Sequence, residues 1–442
     1  MNALKYLPRF RSAGQSLVEL AVRESWSRSE IEAHQLVRLN SLWQEAIVRV
    51  PYYRALHSDK GLPESFTDLD HFRTCVPILK KPYVRDNAKT LLSKSAGSGG
   101  WHHTSGSSGF PTPIFRTHRA HHELLCSRYR FNQMWGVDIL DRWAFLWGNA
   151  ESLAPGFEGF KALFTTPAKD RLRGRLRLSP YDLSKKALRS HLNKLAAFKP
   201  AAIYSHSMAA DLLAREAEAV GFKCPSLKLV VLTAEPIRQS TVAIVEKAFG
   251  VPAVAEYGAV ECGFIAGEAK DRTLRVREDT VVLETIPAGD QYEIVATVLN
   301  SHAFPLIRYA LGDVVEQPLE LPEQGFAILP PVYGRNFDLI VTKTGSFLHG
   351  QIFEDILDKF SAIRCWQLKQ TAEGNVEADI ECDGDLDDAA MAFIQTQFSK
   401  YLEGFEVTIR QIEGLSVSRS GKHRNIVSEL GVVLAEQRLQ AG

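Results

Sequence analysis

The chain has 442 residues, 52 Lys plus Arg against 52 Asp plus Glu, and is 45% hydrophobic. The even charge argues against nucleic acid or an anionic membrane surface as partner, and the apolar content supports a sizeable core spread over roughly two to four structural units. Six scattered cysteines form no CxxC pair, which speaks against a zinc or disulfide framework and fits a reducing cytoplasm, and no apolar run reaches the ~18 residues of a membrane span.

The first residues, MNALKYLPRFRSAGQ, are basic without a long apolar run, so no signal peptide is expected. From 15 to about 60, QSLVELAVRESW and EIEAHQLVRLNSLWQEAIVRV repeat apolar residues at helical steps. PILKKPYVRDN (77–87) reads as a proline-bounded connector leading to Gly97, Gly99 and Gly100. The stretch HTSGSSGFPTP follows, from His103 to Pro113. Its glycines let the backbone approach a ligand, and its hydroxyls and bare N–H groups suit phosphate oxygens. It is not a Walker A loop, because no Lys-Ser/Thr follows the second glycine, and taken alone it is equally compatible with a plain turn.

Residues 114–136 read as helical in their later part, and DRWAFLWGN (141–149) as a strand ending in a turn. ALRSHLNKLAAFKP, MAADLLAREAEAVG and IRQSTVAIVEKAFG are helices, alternating with the strands AAIYSHS, LKLVVLTAE and PAVAEYG. Such alternation predicts βαβ units around a parallel sheet, with ligands beyond the carboxyl ends of its strands, where TAEP and EYGAVE lie. From about 270 to 333, LRVREDTVVLETI, QYEIVATVL and AFPLIRYALGDVVEQ predict an antiparallel lobe. After the linker ILPPVYGRN come two helical and two strand segments. The expected architecture is therefore α/β. A large N-terminal domain, 1–334, carries parallel α/β sheets plus a β-rich lobe. A small mobile C-terminal α+β domain, 335–442, follows a boundary at Gly334 to Phe337.

Four further signals follow the serine–glycine loop in order: YGAVE (257–261), RYALGD (308–313), Gly334-Arg335, and SRSGKHRNIV (418–427). Singly, each has an ordinary structural explanation, a turn or a solvated side chain. Together they resemble the adenylate-forming acyl-activating superfamily, and most closely its phenylacetate–CoA ligase and CapK-like branch. SPYDLS, FKPAAIYSHS, LTAEP, PLIRYALGD and the N-terminal VPYYRALHSDKGLPESFTDLDHFRTCVPILKK carry the same resemblance over nearly the whole chain.

The resemblance implies roles. Thr104, Ser105, Gly106, Ser107, Ser108 and Gly109 would hold the ATP β- and γ-phosphates. Ala234, Glu235, Pro236, Tyr257, Gly258 and Ala259 would wall the adenine pocket. Asp313 would bind the ribose hydroxyls and Arg335 a ribose or phosphate oxygen. Glu261 would coordinate Mg²⁺, and Lys422 would bridge the acyl carboxylate and the phosphate as the catalytic lysine. Trp147, Ser205, His206 and Ser207 fall where the branch builds its carboxylate pocket, although a histidine or tryptophan at such positions is more often core. Phe337 stands where the family commonly has a hinge Asp or Lys, and TKTGSFLHG (342–350), with Gly345, resembles the segment used in thioester formation.

The implied function is ATP- and Mg²⁺-dependent activation of a carboxylic acid as an acyl-adenylate, with coenzyme A as acceptor. The alternative acceptors are a carrier-protein thiol or an amine or hydroxyl in a biosynthetic pathway. A non-catalytic nucleotide-binding relative is the third reading, against which the retained Glu261, Asp313, Arg335 and Lys422 stand. Neither the acid nor the oligomeric state is legible, a dimer being compatible with the resemblance.

Overall fold

The computed structural model describes residues 17–104, 112–147, 170, 173–180, 182–289, 291–332, 334–335, 339–343, 347–349, 351–357, 359–360, 362–414 and 425–430. Ser105, Gly106, Ser107, Ser108, Gly109, Phe337, Gly345 and Lys422 lie outside them, as does the side chain of Arg335.

Helices come first. Arg28–Arg49 begins at a capping box in which Ser27 and Glu30 exchange hydrogen bonds, and it buries Ile31, Leu39, Leu42 and Trp43. Pro51 opens the next helix, Pro51–Lys60, and Gly61 at φ +57° ends it. The stretch read as a connector is instead the helix Lys81–Leu91, with Pro82 in its first turn. There a proline's missing N–H costs nothing, because the first helical N–H groups have no intrahelical partner. The glycines at 99 and 100 likewise belong to a strand. β1 (Gly99–His103) pairs with β2 (Pro113–Thr117) as a hairpin around the serine–glycine loop, and the helix His118–Met134 follows directly.

The main sheet alternates with helices as expected. β3 (Trp143–Leu146), β4 (Arg175–Leu178), β5 (Ala202–His206), β6 (Leu229–Thr233) and β7 (Ala253–Ala259) are parallel. β8 (Gly263–Glu268) turns back against β7, and β9 (Leu274–Val276) follows it antiparallel. Alternate residues divide the sheet into two faces. Ile203, Val230, Leu232 and Ala253 pack under the helices Lys185–Phe198, Ser207–Ala219 and Gln239–Phe249. Tyr204, Val231, Val254 and Phe264 face Phe131 and Trp135, at the end of the helix that begins at His118.

The expected lobe is antiparallel: β10 (Val281–Ala288), β11 (Gln291–Val298) and β12 (Tyr309–Val315), with β12 starting later than the sequence suggested. The short β13 (Ile328–Leu329) closes the main sheet as an eighth strand, and β14 (Gly334–Arg335) pairs with β12. The N-terminal helices clasp this lobe. Arg28 forks onto Glu278, Gln35 donates to the carbonyls of Glu278 and Val281, and the buried Tyr53 hydroxyl donates to Pro305 and accepts from the Ile307 N–H.

β15 (Leu339–Val341) and β16 (Phe347–His349) form a hairpin. The last sheet, β17 (Ile363–Gln370), β18 (Val376–Cys382), β19 (Val407–Gln411) and β20 (Ile426–Ser428), encloses its own core with Trp366, Phe353 and Phe398. The Arg238 guanidinium lies 5.5 Å from the Trp366 ring and Lys185 lies 3.1 Å from Asp383, so this sheet rests against the segment after β6 and the helix before β5. No helix among the described residues is long and apolar enough to cross a membrane.

Candidate active site

The carboxyl ends of β5, β6 and β7 converge with the end of β12. β6 runs into Ala234, which holds φ +71°, a left-handed conformation that an alanine adopts only under constraint. The next residue, Glu235, accepts a hydrogen bond from the Met208 N–H at 2.9 Å and so caps the helix Ser207–Ala219. The TAEP turn is thereby tied to the start of that helix, where Ser205, His206 and Ser207 are all buried.

β7 carries the aromatic. The Tyr257 hydroxyl donates to Asp313 Oδ2 at 2.8 Å, joining the YGAVE and RYALGD motifs, and the Asp313 backbone is in register with Arg335. Gly258 is required by space, since a Cβ there would lie 2.4 Å from the Gly263 carbonyl oxygen across the β7–β8 reversal. Ala259 ends β7 beside it.

Glu261 sits in the reversal with its side chain only 3% exposed. Its Oε1 accepts from Lys81 Nζ at 2.8 Å and from the Tyr309 hydroxyl at 3.1 Å. Arg116 on β2 donates to the carbonyls of Val260, at 2.6 Å, and Glu261. Burial presses the Arg116 pKa below its ordinary value, the neighbouring Glu261 and Cys262 only partly offsetting it. Partial loss of water contact, with Arg116 close by, lowers the pKa of His102 and of His121. Burial also pushes the Cys262 thiol far up, so it is no nucleophile.

At the base of the serine–glycine loop, the Thr104 N–H donates to the Thr112 carbonyl and the Thr112 N–H to Thr104 Oγ1. These two bonds fix the entry and exit of the segment 105–111. At the ends of β3 and β5, the Trp147 and His206 rings lie 4.2 Å apart, Trp147 and Tyr204 5.3 Å apart, and Ser205 Oγ donates to the His206 carbonyl. Tyr204 donates to Glu256 Oε1 at 2.7 Å, and Arg128 forks onto the same carboxylate. Burial by itself lowers the Arg128 guanidinium pKa, but Glu256 outweighs it and raises it above normal.

Several polar residues here were not singled out from the sequence: Lys81, Tyr309, Arg116, Arg128, Tyr204 and Glu256. No spacing rule links Lys81 to a carboxylate 180 residues away. The alternation Val254, Glu256 on an otherwise apolar face was the one available signal for a buried acid. Among the described residues no group of three or more His, Cys, Asp and Glu could hold a metal by itself. A single carboxylate such as Glu261, here paired with Lys81, suits magnesium, which takes one or two carboxylates and completes its shell with phosphate oxygens and water.

No protein-family model matches the chain. Among solved structures, 2-hydroxyisobutyryl-CoA ligase in the postadenylation state, in complex with R3-HIB-AMP, aligns with TM-score 0.71 at 19% identity, over 95% of this chain and 94% of that one. The chain has the adenylate-forming ligase fold. The same ligase with 2-HIB-AMP and CoA in the thioesterification state aligns at TM-score 0.58, again with 19% identity and coverage of 95% and 94%. Protein CapK of Staphylococcus aureus is 26% identical over 173 residues, a match spanning 38% of each chain.

Proposed function

We propose that the protein activates a carboxylic acid with ATP and passes the acyl group to coenzyme A. The observation that carries this reading is the convergence of Tyr257 with Asp313, and of Glu261 with Lys81, at the carboxyl ends of the strands, beside the base of the serine–glycine loop. Those are the places where the motif order, shared with the phenylacetate–CoA ligase branch, puts ribose, metal and phosphates. The aligned ligase binds an acyl-AMP and CoA, which supports the same pair of half-reactions here.

The first step joins two anions. A carboxylate oxygen of the acid attacks the α-phosphorus, the bond to the β-phosphate oxygen breaks, and pyrophosphate leaves. Lys81 and Arg116 bring positive charge to the Glu261 loop, and Lys422 would add a third cation at the carboxylate–phosphate junction. Glu261 would hold magnesium, which when bound neutralises charge on the phosphates. Asp313 would take the ribose hydroxyls, and the Ala234–Pro236 turn with Tyr257 would bracket the adenine. In the second step the thiol sulfur attacks the acyl carbonyl carbon. The C–S bond forms, the C–O bond to AMP breaks, and the thiol proton passes to solvent.

The test is acid-dependent exchange of labelled pyrophosphate into ATP over a broad acid panel, followed by acceptor assays with CoA, carrier protein and amines. Lys422→Ala should suppress exchange while leaving nucleotide binding within a few-fold. Absence of exchange with every acid, in folded protein that binds ATP, would overturn the adenylation reading. Exchange without thioester formation would leave adenylation standing and remove CoA as acceptor.

A further inference from the structure

The face of the main sheet that meets the helix His118–Met134 is apolar through most of its depth and turns polar only at its carboxyl end. Strand register puts His206, Thr233 and Glu256 in one row across β5, β6 and β7, with Trp147 beside His206. The next row inward is Phe145, Tyr204, Val231 and Val254, about 6.6 Å deeper by the rise of two strand residues. Tyr204 reaches back up, so its hydroxyl meets Glu256 in the outer row. Beyond these rows the space is filled: the Phe131 and Phe264 rings lie 5.5 Å apart, and a Cβ on Gly267 would already strike Phe131.

Arg128 closes this end. Its Nε and Nη2 fork onto Glu256, and among the described residues nothing accepts a hydrogen bond from Nη1. The rim carries further positive character, since Arg116, Arg128 and Arg175 all bear on His121. Glu256 is buried and Arg128 one-third exposed, and such a partly desolvated pair contributes little net stability compared with an apolar filling of the same volume. Its cost has a use where ligands bind, at the carboxyl ends of parallel strands. An alkyl chain entering there would meet a charged carboxylate and a guanidinium after a few carbons, and would strip them of water without replacing their hydrogen bonds.

We propose that the acid taken by this site is short and bears a second oxygen-containing polar group, a hydroxyl or carboxylate, that accepts a hydrogen bond from Arg128, whose guanidinium Glu256 and Tyr204 hold in place. This rests on the adenylation reading. A site built to hydrogen-bond a substrate oxygen rejects the analogue lacking it far more strongly than an apolar pocket rejects one methylene.

The test is pyrophosphate exchange with 3-hydroxybutyrate, succinate, butyrate and octanoate at equal concentrations. One of the two polar acids should exceed butyrate by about 100-fold or more in kcat/KM, and octanoate should be inert. Which polar acid leads separates hydroxyl from carboxylate recognition. Tyr204→Phe conserves volume and should erode the polar-over-butyrate ratio at least about tenfold with KM for ATP unchanged. Glu256→Gln should do the same, its fold checked by circular dichroism. Octanoate or butyrate preferred over both polar acids would overturn the proposal while adenylation stood. So would a Tyr204→Phe variant that slows all acids equally. No exchange with any acid would overturn adenylation itself and this inference with it.

Discussion

Replacing Lys81 with methionine tests the electrostatics at the β7–β8 reversal most directly. Lys81 Nζ lies 2.8 Å from Glu261 Oε1, and the two side chains are 25% and 3% exposed. At an effective dielectric near 20, that separation corresponds to about 6 kcal/mol of attraction before desolvation is subtracted. Removing one partner of a fully buried pair typically costs about 3–5 kcal/mol. Lys81 keeps some water, and Tyr309 still donates to the same oxygen, so about 2–3 kcal/mol is expected. Urea unfolding without nucleotide measures it. The double variant Lys81→Met, Glu261→Gln should recover at least about 1.5 kcal/mol of the summed single losses, because no unpaired carboxylate is then buried. A Lys81→Met protein within about 0.5 kcal/mol of the parent, with single losses that simply add in the double variant, would refute the reasoning.

Gly258→Ala should cost about 3 kcal/mol or more, read as a lowered melting temperature, because its methyl would collide with the backbone oxygen of Gly263 rather than with a movable side chain. Ala234→Gly should raise stability by up to about 1 kcal/mol through relief of its left-handed backbone. Tyr257→Phe should raise KM for ATP several-fold with a smaller effect on kcat, by removing one hydrogen bond that orients Asp313. Acid should destabilise the fold through histidines whose charged form is poorly solvated, of which His191 is the buried one. His34, His102, His121 and His191 all have folded-state pKa values lowered, chiefly by burial. The unfolded chain therefore binds more protons below its histidine pKa of about 6.5, and stability, constant above that pH, falls as pH drops toward 5. Melting curves from pH 8 to pH 5 should show this loss, with His191→Gln reducing the slope.

The sequence made the alternation of strands and helices from Trp143 to Ala259 readable, because apolar runs ending in Gly or Pro mark where each element stops. The rule that ligands lie at strand carboxyl ends then brought TAEP and EYGAVE together, and the structure joins Tyr257 to Asp313 there. Lys81 was missed for a local reason: the two prolines of PILKKP suggested a connector, whereas Pro82 initiates a helix that aims Lys81 at Glu261. Arg116 and Arg128 were hidden because pairing between distant segments decides whether an arginine is solvated or buried, and local pattern cannot show it. The polar row at His206, Thr233 and Glu256 needed strand register, which emerges only once the sheet is assembled.

The clasp of the N-terminal helices on the lobe has a consequence for synthesis. Arg28 takes its partners from Glu278 and from the backbone of Glu323, roughly 250 to 300 positions later in the chain. At about 5–20 residues per second, a ribosome needs some 15–60 s to deliver them. During that interval Trp43 already has Tyr53 and Phe66 to pack on, but Arg28 and Gln35 have emerged without the lobe residues they finally bond. The start of the helix Arg28–Arg49 is among the last parts to be locked, and slowing translation in the second half of the message should lower the soluble yield.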